Sequence, residues 1–275
     1  MEKVKLSVGS LQSIENEDTK NMHIANFVPF EYAKSIIIPA DYESNSTFAL
    51  RSLRSIEILE EIEGDTTVGD RQERHAIHIG TKGKECHYES GATIMVSCWT
   101  KIKKDYVTDE EWKELYRKGG KDKFARTDGI AIVSTTEKMT KFLKENNERF
   151  MFGTERGLKA GDVSYYNESE PKEKPVGFDP IFGPVFQKRD RYKYQNEYRF
   201  AYALPSEYSV ERSIYYIDKP EDYIDKIQFG PEMKCQNIRK LLYRASGVFV
   251  SLIHEFDELQ RITRCPLIKF QEEHQ

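Results

Sequence analysis

Long apolar segments and paired cysteines are both missing from this sequence. Its longest strongly apolar stretches, around 91–100 and 245–253, are about half of the ~20 residues that a membrane-spanning helix needs. The first residues, MEKVKLSVGS, contain no apolar signal-peptide core, so we expect a cytoplasmic protein that does not contact membranes. The four cysteines form no C-x-x-C pair, which predicts reduced thiols and no metal site.

Several signatures of nucleotide-dependent and hydrolytic enzymes are missing as well. The chain has no G-x-G-x-x-G after a predicted strand, no G-x-x-x-x-G-K-[ST], no H-E-x-x-H and no G-x-S-x-G. These absences argue against a Rossmann-type dinucleotide fold, a P-loop enzyme, a zincin and an α/β-hydrolase.

Charge and aromatic content set two further bounds. The 275 residues carry 42 Lys and Arg against 46 Asp and Glu, a net charge of −4, which excludes a histone-like polycation. A local basic surface remains possible at this balance. The chain contains 16 Tyr and 15 Phe, and this aromatic content predicts a packed core because disordered chains are poor in such residues.

Hydrophobic patterning predicts an α+β fold in which strands alternate with single helices. We predict strands at 46–51, 92–99, 129–133, 162–166, 194–204, 224–229 and 247–253. We predict helices at 53–62, 109–116, 137–146 and about 234–245, and a long loop or ragged hairpin at 65–90. The proposed divisions are an N-terminal extension at 1–45, one domain at 46–255 and a C-terminal tail at 256–275.

Polar residues recur at the edges of three predicted strands. Arg51 ends the first, Ser134 and two threonines end another, and Gln195-Asn196-Glu197 enter a third. This order resembles the Arg, Ser-Thr-Ser and Gln/Glu-x-Glu pattern of ADP-ribosyltransferases, although Thr136 stands where the family usually has its second Ser. The resemblance implies an ADP-ribosyltransferase-like mixed β-sheet core and NAD as a substrate.

A second resemblance covers residues 46 to 204. It is carried by Leu50-Arg51, Ser97-Cys98-Trp99, Trp112-x-x-x-Tyr116, Gly129–Ile132, Val163-Ser-Tyr165 and Gln195-x-Glu197-x-Arg199. These segments are similar to a widespread bacterial domain family of unknown function, and some toxin ADP-ribosyltransferases of bacterial phage-defence systems look similar. The family's acidic N-D-P-x-E segment is reduced here to Gly64-Asp65.

The residue types at these positions suit cleavage of NAD. Breaking the bond between nicotinamide and ribose passes through an oxocarbenium-like cation, and Glu197 is the candidate carboxylate that would stabilise it. Gln195 would orient the acceptor nucleophile. Arg51 would hold the pyrophosphate through charge-assisted hydrogen bonds, with Ser134 completing the cofactor site. Trp112 and Tyr116 would stack on a flat ring of NAD.

Basic and aromatic residues alternate just before Glu197. Lys188, Arg189, Arg191 and Lys193 are interleaved with tyrosines, a pattern that fits phosphate contacts and base stacking on single-stranded nucleic acid. RNA is therefore the preferred macromolecular acceptor, ahead of protein. The toxin resemblance also admits an antitoxin protein as a partner.

Each of these residues has a purely structural alternative. Arg51 can pair with acidic residues of the adjacent helix, Ser134-Thr135-Thr136 can cap a helix, and Trp112 can lie in the core. Glu197 can form a structural ion pair with Arg199, and the basic residues can form a solvated sheet edge. For the whole chain, the main alternative is a non-catalytic module that binds nucleic acid or protein. A nuclease is a third option, which is disfavoured because the sequence shows no metal-carboxylate cluster.

Overall fold

The computed structural model describes residues 21–28, 46–53, 56, 75–79, 84–89, 93–102, 129–147, 158–167, 169–170, 178–204, 212–217, 222–234 and 236–238. These residues form a mixed structure that is mostly sheet with few helices, which is consistent with the predicted α+β class.

Twelve strands and one α-helix lie wholly within the described residues, and residues 53, 56 and 236–238 are helical as well. The first strands are β1 (His23–Val28), β2 (Ser46–Ser52), β3 (His75–Ile79), β4 (Glu85–Glu89), β5 (Thr93–Lys101) and β6 (Ile130–Thr135), followed by helix α1 (Thr136–Asn147). The later elements are β7 (Leu158–Asp162), β8 (Ser164–Tyr166), a 3₁₀ turn (Pro184–Phe186), β9 (Gln187–Arg189), a 3₁₀ helix (Asp190–Gln195), β10 (Glu197–Leu204), β11 (Arg212–Ile217) and β12 (Lys226–Phe229).

The main sheet has eight strands, and β5 lies at its centre. Its order is β11-β2-β5-β1-β6-β12, while β10 pairs with the other edge of β5 and then with β7. All of these pairings are antiparallel. The length of β5 allows both β1 and β2 to pair along one edge, so that strands distant in sequence meet around it.

The two faces of this sheet are covered differently. One face carries the larger core, where Trp99 and Phe200 meet edge to face and to which Phe142 of α1 also belongs. The other face carries a smaller cluster in which Val96 and Ala201 are covered by Phe182 and Val185. Side chains alternate between the faces along each strand, so adjacent residues of β10 belong to different environments.

Helix α1 begins where the sequence predicts a cap. The Thr135 hydroxyl accepts a hydrogen bond from the Lys138 backbone N–H at 3.2 Å, which satisfies one of the unpaired donors of the first turn. Met139, Phe142 and Leu143 are buried on one side of the helix, while Lys141 and Lys144 are exposed on the other. This spacing is the amphipathic pattern that fixes α1 against the sheet.

The structure confirms the predicted strands at 46–51, 92–99 and 129–133 and the helix at 137–146, with small shifts at their ends. The ragged hairpin is β3 paired with β4. The predicted strand at 162–166 is instead two strands separated at Val163. The segment 23–28, which the sequence leaves in the N-terminal extension, is a strand between β5 and β6.

One predicted strand begins later than the sequence suggests. Residues Asp190–Gln195 form a 3₁₀ helix, and Asn196 adopts the left-handed conformation at φ 46°, so that only Glu197–Leu204 is extended. The predicted strand start at 194 is therefore wrong.

The helix at 109–116 and the strand at 247–253 lie outside the described residues, as does most of the helix at 234–245. In the part of the chain that the structure describes, no helix is long and apolar enough to cross a membrane.

Candidate functional site

The first residue of β10 carries a buried carboxylate. Glu197 is only 7% exposed, and Arg199, two residues further along the same strand, is fully buried. The Arg199 Nη2 donates a hydrogen bond to Glu197 Oε2 at 2.8 Å, and its Nη1 donates to the Val185 carbonyl at 2.7 Å. Residues two apart on a strand share a face, so β10 by itself places both partners of this ion pair on one face of the sheet.

A second buried cation reaches the same carboxylate from the separate two-stranded sheet of β8 and β9. Lys188 of β9 is 3% exposed, and its Nζ lies 3.6 Å from Glu197 Oε2. The same ammonium donates a 2.8 Å hydrogen bond to the Gln195 amide oxygen. We call Lys188, Gln195, Glu197 and Arg199 the charged cluster.

Asn196 positions the charged cluster through the backbone. Its side-chain amide donates to the Lys101 carbonyl at 3.2 Å, and the Lys101 N–H donates to the Asn196 carbonyl at 2.9 Å. The left-handed conformation of Asn196 turns the chain out of the 3₁₀ helix and into β10. Asn tolerates this conformation better than most residues do, so its presence here has a local structural reason.

Tyr165 of β8 contacts the charged cluster and is more exposed than the cluster's own residues. Its hydroxyl accepts a 2.8 Å hydrogen bond from the Glu197 backbone N–H. In the parallel β8–β9 pair, Tyr165 stands opposite Lys188. Tyr165 is only half-buried, unlike Lys188, Glu197 and Arg199. Tyr165 belongs to the Val163-Ser-Tyr165 segment of the family resemblance, but no pattern in the surrounding sequence indicates its contact with Glu197.

The surroundings of Glu197 control its ionisation. Burial by itself would raise the pKa of the carboxyl, but the Arg199 and Lys188 charges and hydrogen bonds lower this pKa below its usual range. Burial, together with the charge of Glu197, raises the pKa of the Tyr165 phenol to about 12. At neutral pH the site therefore combines an ionised carboxylate with a protonated phenol.

The basic residues before β10 are divided between the interior and the surface. Lys188 and Arg189 are buried, whereas Arg191 and Lys193 are exposed on the 3₁₀ helix. Around the buried Tyr192 ring, Lys188 Nζ and Arg191 Cζ each lie 4.7 Å from the centroid and Arg189 Cζ lies 5.7 Å away. The basic segment therefore consists of the short buried strand β9 followed by a 3₁₀ helix, whose exposed cations are Arg191 and Lys193.

The structure separates Ser134 from Glu197. Ala25 of β1 pairs with Thr100, whereas the preceding Ile24 pairs with Ser134. Since Glu197 pairs with Thr100, it lies on the opposite face of the sheet from Ser134. Ser134 is completely buried and donates a hydrogen bond to the Tyr223 carbonyl. The structure does not bring these two predicted site residues together.

The strand register gives Arg51 a different relation to Glu197. Arg51 of β2 is opposite Val96, and Glu197 is opposite Thr100, four positions along β5. The two backbone positions therefore belong to the same face, on opposite edges of β5 and about 13 Å apart along it. Trp112 and Tyr116, the predicted stacking residues, lie outside the described residues.

The described residues offer no metal site, and comparison with known proteins finds no relative. The described residues contain no group of three or more His, Cys, Asp or Glu that could hold a metal ion, and the described cysteines, Cys86 and Cys98, form no disulfide. No protein-family model matches the chain, and comparison with curated proteins and with solved structures yields no match.

Proposed function

We propose that this chain has an ADP-ribosyltransferase-like fold and transfers ADP-ribose from NAD to a macromolecule, with Glu197 as the carboxylate at the reacting ribose. The observation that supports this proposal is the Glu197 carboxylate itself. It is buried, and Arg199 and Lys188 keep it ionised. Strongly perturbed ionisable groups of this kind are concentrated at functional sites.

The reaction needs little from the protein beyond this charge. The bond between ribose C1′ and the nicotinamide nitrogen breaks, and its electron pair leaves with nicotinamide. An oxygen or nitrogen of the acceptor then bonds to C1′ and releases its proton to solvent. A preorganised carboxylate stabilises the positive charge that develops on the ribose between these events.

Two further residues have roles in this proposal. Arg51, at a register position on the same sheet face as Glu197, would hold the pyrophosphate. Gln195, whose amide oxygen accepts from Lys188 and whose amide nitrogen donates to the Tyr194 hydroxyl, would orient the acceptor nucleophile. Ser134 lies on the other face and has no direct contact with NAD in this arrangement.

RNA is the acceptor that we prefer, because Arg191, Lys193 and the exposed ring of Tyr194 lie on the 3₁₀ helix that leads to Gln195. We further propose that the protein acts in the bacterial cytoplasm as a toxin or phage-defence effector. An antitoxin protein is the corresponding regulatory partner.

Labelled NAD tests the activity directly. The full chain is incubated with NAD labelled in the adenylate moiety and with total cell lysate, and label is measured in the RNA and protein fractions and as free ADP-ribose. Glu197→Gln should lower all transfer by roughly 10²–10³-fold, because one preorganised electrostatic contact is lost. Glu137→Gln, an exposed carboxylate of α1, is the matched control and should leave transfer unchanged.

Glu197→Gln also leaves two buried cations without a carboxylate, so a second variant separates chemistry from folding. Glu197→Asp keeps the charge and withdraws it by one methylene. It should fold and show an intermediate loss of transfer. Absence of any NAD turnover by the wild-type chain, or full transfer by a folded Glu197→Gln chain, would overturn the proposal.

One observation favours a second function, that of a non-catalytic module binding nucleic acid or protein. Glu197 Oε2 already accepts from Arg199 and faces Lys188, and Gln195 Oε1 accepts from Lys188, so the members of the charged cluster pair with one another as a structural unit would. Salt-dependent RNA binding without NAD turnover would establish this module instead.

A further inference from the structure

Tyr165 is the half-buried member of a group whose other members are buried. Glu197, Arg199 and Lys188 are each at most 7% exposed, so a ligand can reach them only over a neighbouring side chain. Tyr165 stands at that position because it pairs with Lys188 across β8 and β9 and touches the first residue of β10. It is therefore the side chain of this group best placed to meet a ligand from solvent.

Among the described residues, the Tyr165 hydroxyl is used as a hydrogen-bond acceptor and not as a donor. A phenol oxygen can accept hydrogen bonds and can donate its own proton. In the described part of the chain, the Tyr165 oxygen accepts from the Glu197 N–H, and its proton is directed to no protein acceptor. The contact that fixes the oxygen thus positions an O–H donor next to the backbone of Glu197.

We propose that Tyr165 is a further catalytic residue, whose phenol donates a hydrogen bond to a ribose oxygen of NAD beside Glu197. This inference rests on the proposed function. The phenol acts as a donor because it stays protonated at any physiological pH, its pKa being raised to about 12 by burial and by the Glu197 charge. For the same reason Tyr165 does not act as a general base in this site.

The arrangement divides the recognition of the ribose between two chemical groups. The carboxylate of Glu197 accepts a hydrogen bond from a ribose hydroxyl and faces the developing cation. The phenol of Tyr165 donates to a second ribose oxygen from the more exposed side. Because the backbone N–H of Glu197 holds the phenol oxygen, the two groups keep a fixed spacing, which favours one orientation of the sugar.

Tyr165→Phe tests this proposal because it removes only the hydroxyl. NAD hydrolysis by water is measured at saturating and subsaturating NAD, and kcat/KM should fall about fivefold to tenfold, as expected for one lost hydrogen bond. Tyr198→Phe is the matched control. It makes the same change on β10 next to Glu197 but on the aromatic face, so its kinetics should match those of the wild type.

A combined variant distinguishes direct contact from an effect through Glu197. If Tyr165 touches NAD, the double variant Tyr165→Phe/Glu197→Asp should be clearly slower than Glu197→Asp alone, although contact between the two residues makes the combined loss differ from the simple product. A double variant no slower than Glu197→Asp alone would mean that Tyr165 only positions Glu197, and would overturn the proposal.

Two other outcomes are equally decisive. Lower stability of Tyr165→Phe with wild-type kinetics would show that the phenol serves only β10, and the proposed function would stand without this inference. A wild-type chain that does not hydrolyse NAD would overturn the proposed function, and this inference with it.

Discussion

Glu197 and Arg199 form a 2.8 Å ion pair from alternate positions of one strand, and both side chains are almost completely removed from water. Lys188 adds a second positive charge at 3.6 Å from the same carboxylate oxygen. The carboxylate is thus shared by two cations, and the three residues are not equivalent. Loss of the carboxylate leaves two buried positive charges together, whereas loss of either cation leaves a neutral pair.

The first prediction concerns folding stability. Glu197→Gln should lower the free energy of unfolding by about 3–5 kcal/mol, the usual cost of removing one partner from a buried ion pair. Lys188→Met should cost less, because the Glu197–Arg199 pair remains intact. The double variant should recover part of the loss, since it removes one of the two uncompensated cations. Urea unfolding of the three variants measures the order, and equal losses for the two single variants would contradict it.

The second prediction is a pH dependence with a defined sign. The folded-state pKa of Glu197 lies below its unfolded value of about 4.5 despite the cost of burial, because Arg199 and Lys188 favour the ionised form. The unfolded chain therefore takes up the proton first as the pH falls. The stabilisation from Glu197 should be complete above about pH 4.5 and disappear as the pH falls through the folded-state value.

Paired measurements isolate this contribution. The difference in unfolding free energy between the wild type and Glu197→Gln should stay constant from pH 7 to about pH 5 and narrow at lower pH. Carboxylates common to both chains cancel in the difference. A difference that stays constant down to pH 2, or widens, would show that Glu197 is not the ionised partner of this cluster.

The third prediction separates acceptor binding from NAD chemistry. Replacing the exposed Arg191 and Lys193 together with Gln should lower transfer to RNA, while hydrolysis of NAD by water should persist. Wild-type binding of RNA should also weaken with salt, with a log–log slope of about −0.7 for each phosphate contacted. The matched control replaces Lys141 and Lys144, two exposed lysines of α1, and should leave both activities unchanged.

Two results would contradict this prediction. Equal loss of hydrolysis and transfer would mean that the 3₁₀ helix serves NAD or the fold. Unchanged transfer would place the acceptor site elsewhere. Lys188 and Arg189 do not belong in this experiment, because they are buried and their replacement would change the charged cluster or its support.

Several parts of the fold were predictable because their signals are local. The β-branched and aromatic run at 93–101 forms β5, and the apolar spacing of Met139, Phe142 and Leu143 forms the buried side of α1. The cap at Thr135 follows from a hydroxyl residue immediately before a helical pattern. For the site, the spacing of Glu197 and Arg199 is enough to place both on one strand face.

The other parts of the fold and of the site depend on strand pairing between segments that are distant in sequence. The segment His23–Val28 has no distinctive pattern, yet it is inserted between β5 and β6, far from its neighbours in sequence. The same register separates Ser134 from Glu197, since a shift of one residue exchanges the faces of a strand. The burial of Lys188 and the contact of Tyr165 with Glu197 depend on the parallel pairing of β8 with β9. The sequence by itself determined which residues could carry charge and which segments could be extended. Only the tertiary structure decided which of those charges meet, because that choice depends on contacts between residues remote along the chain.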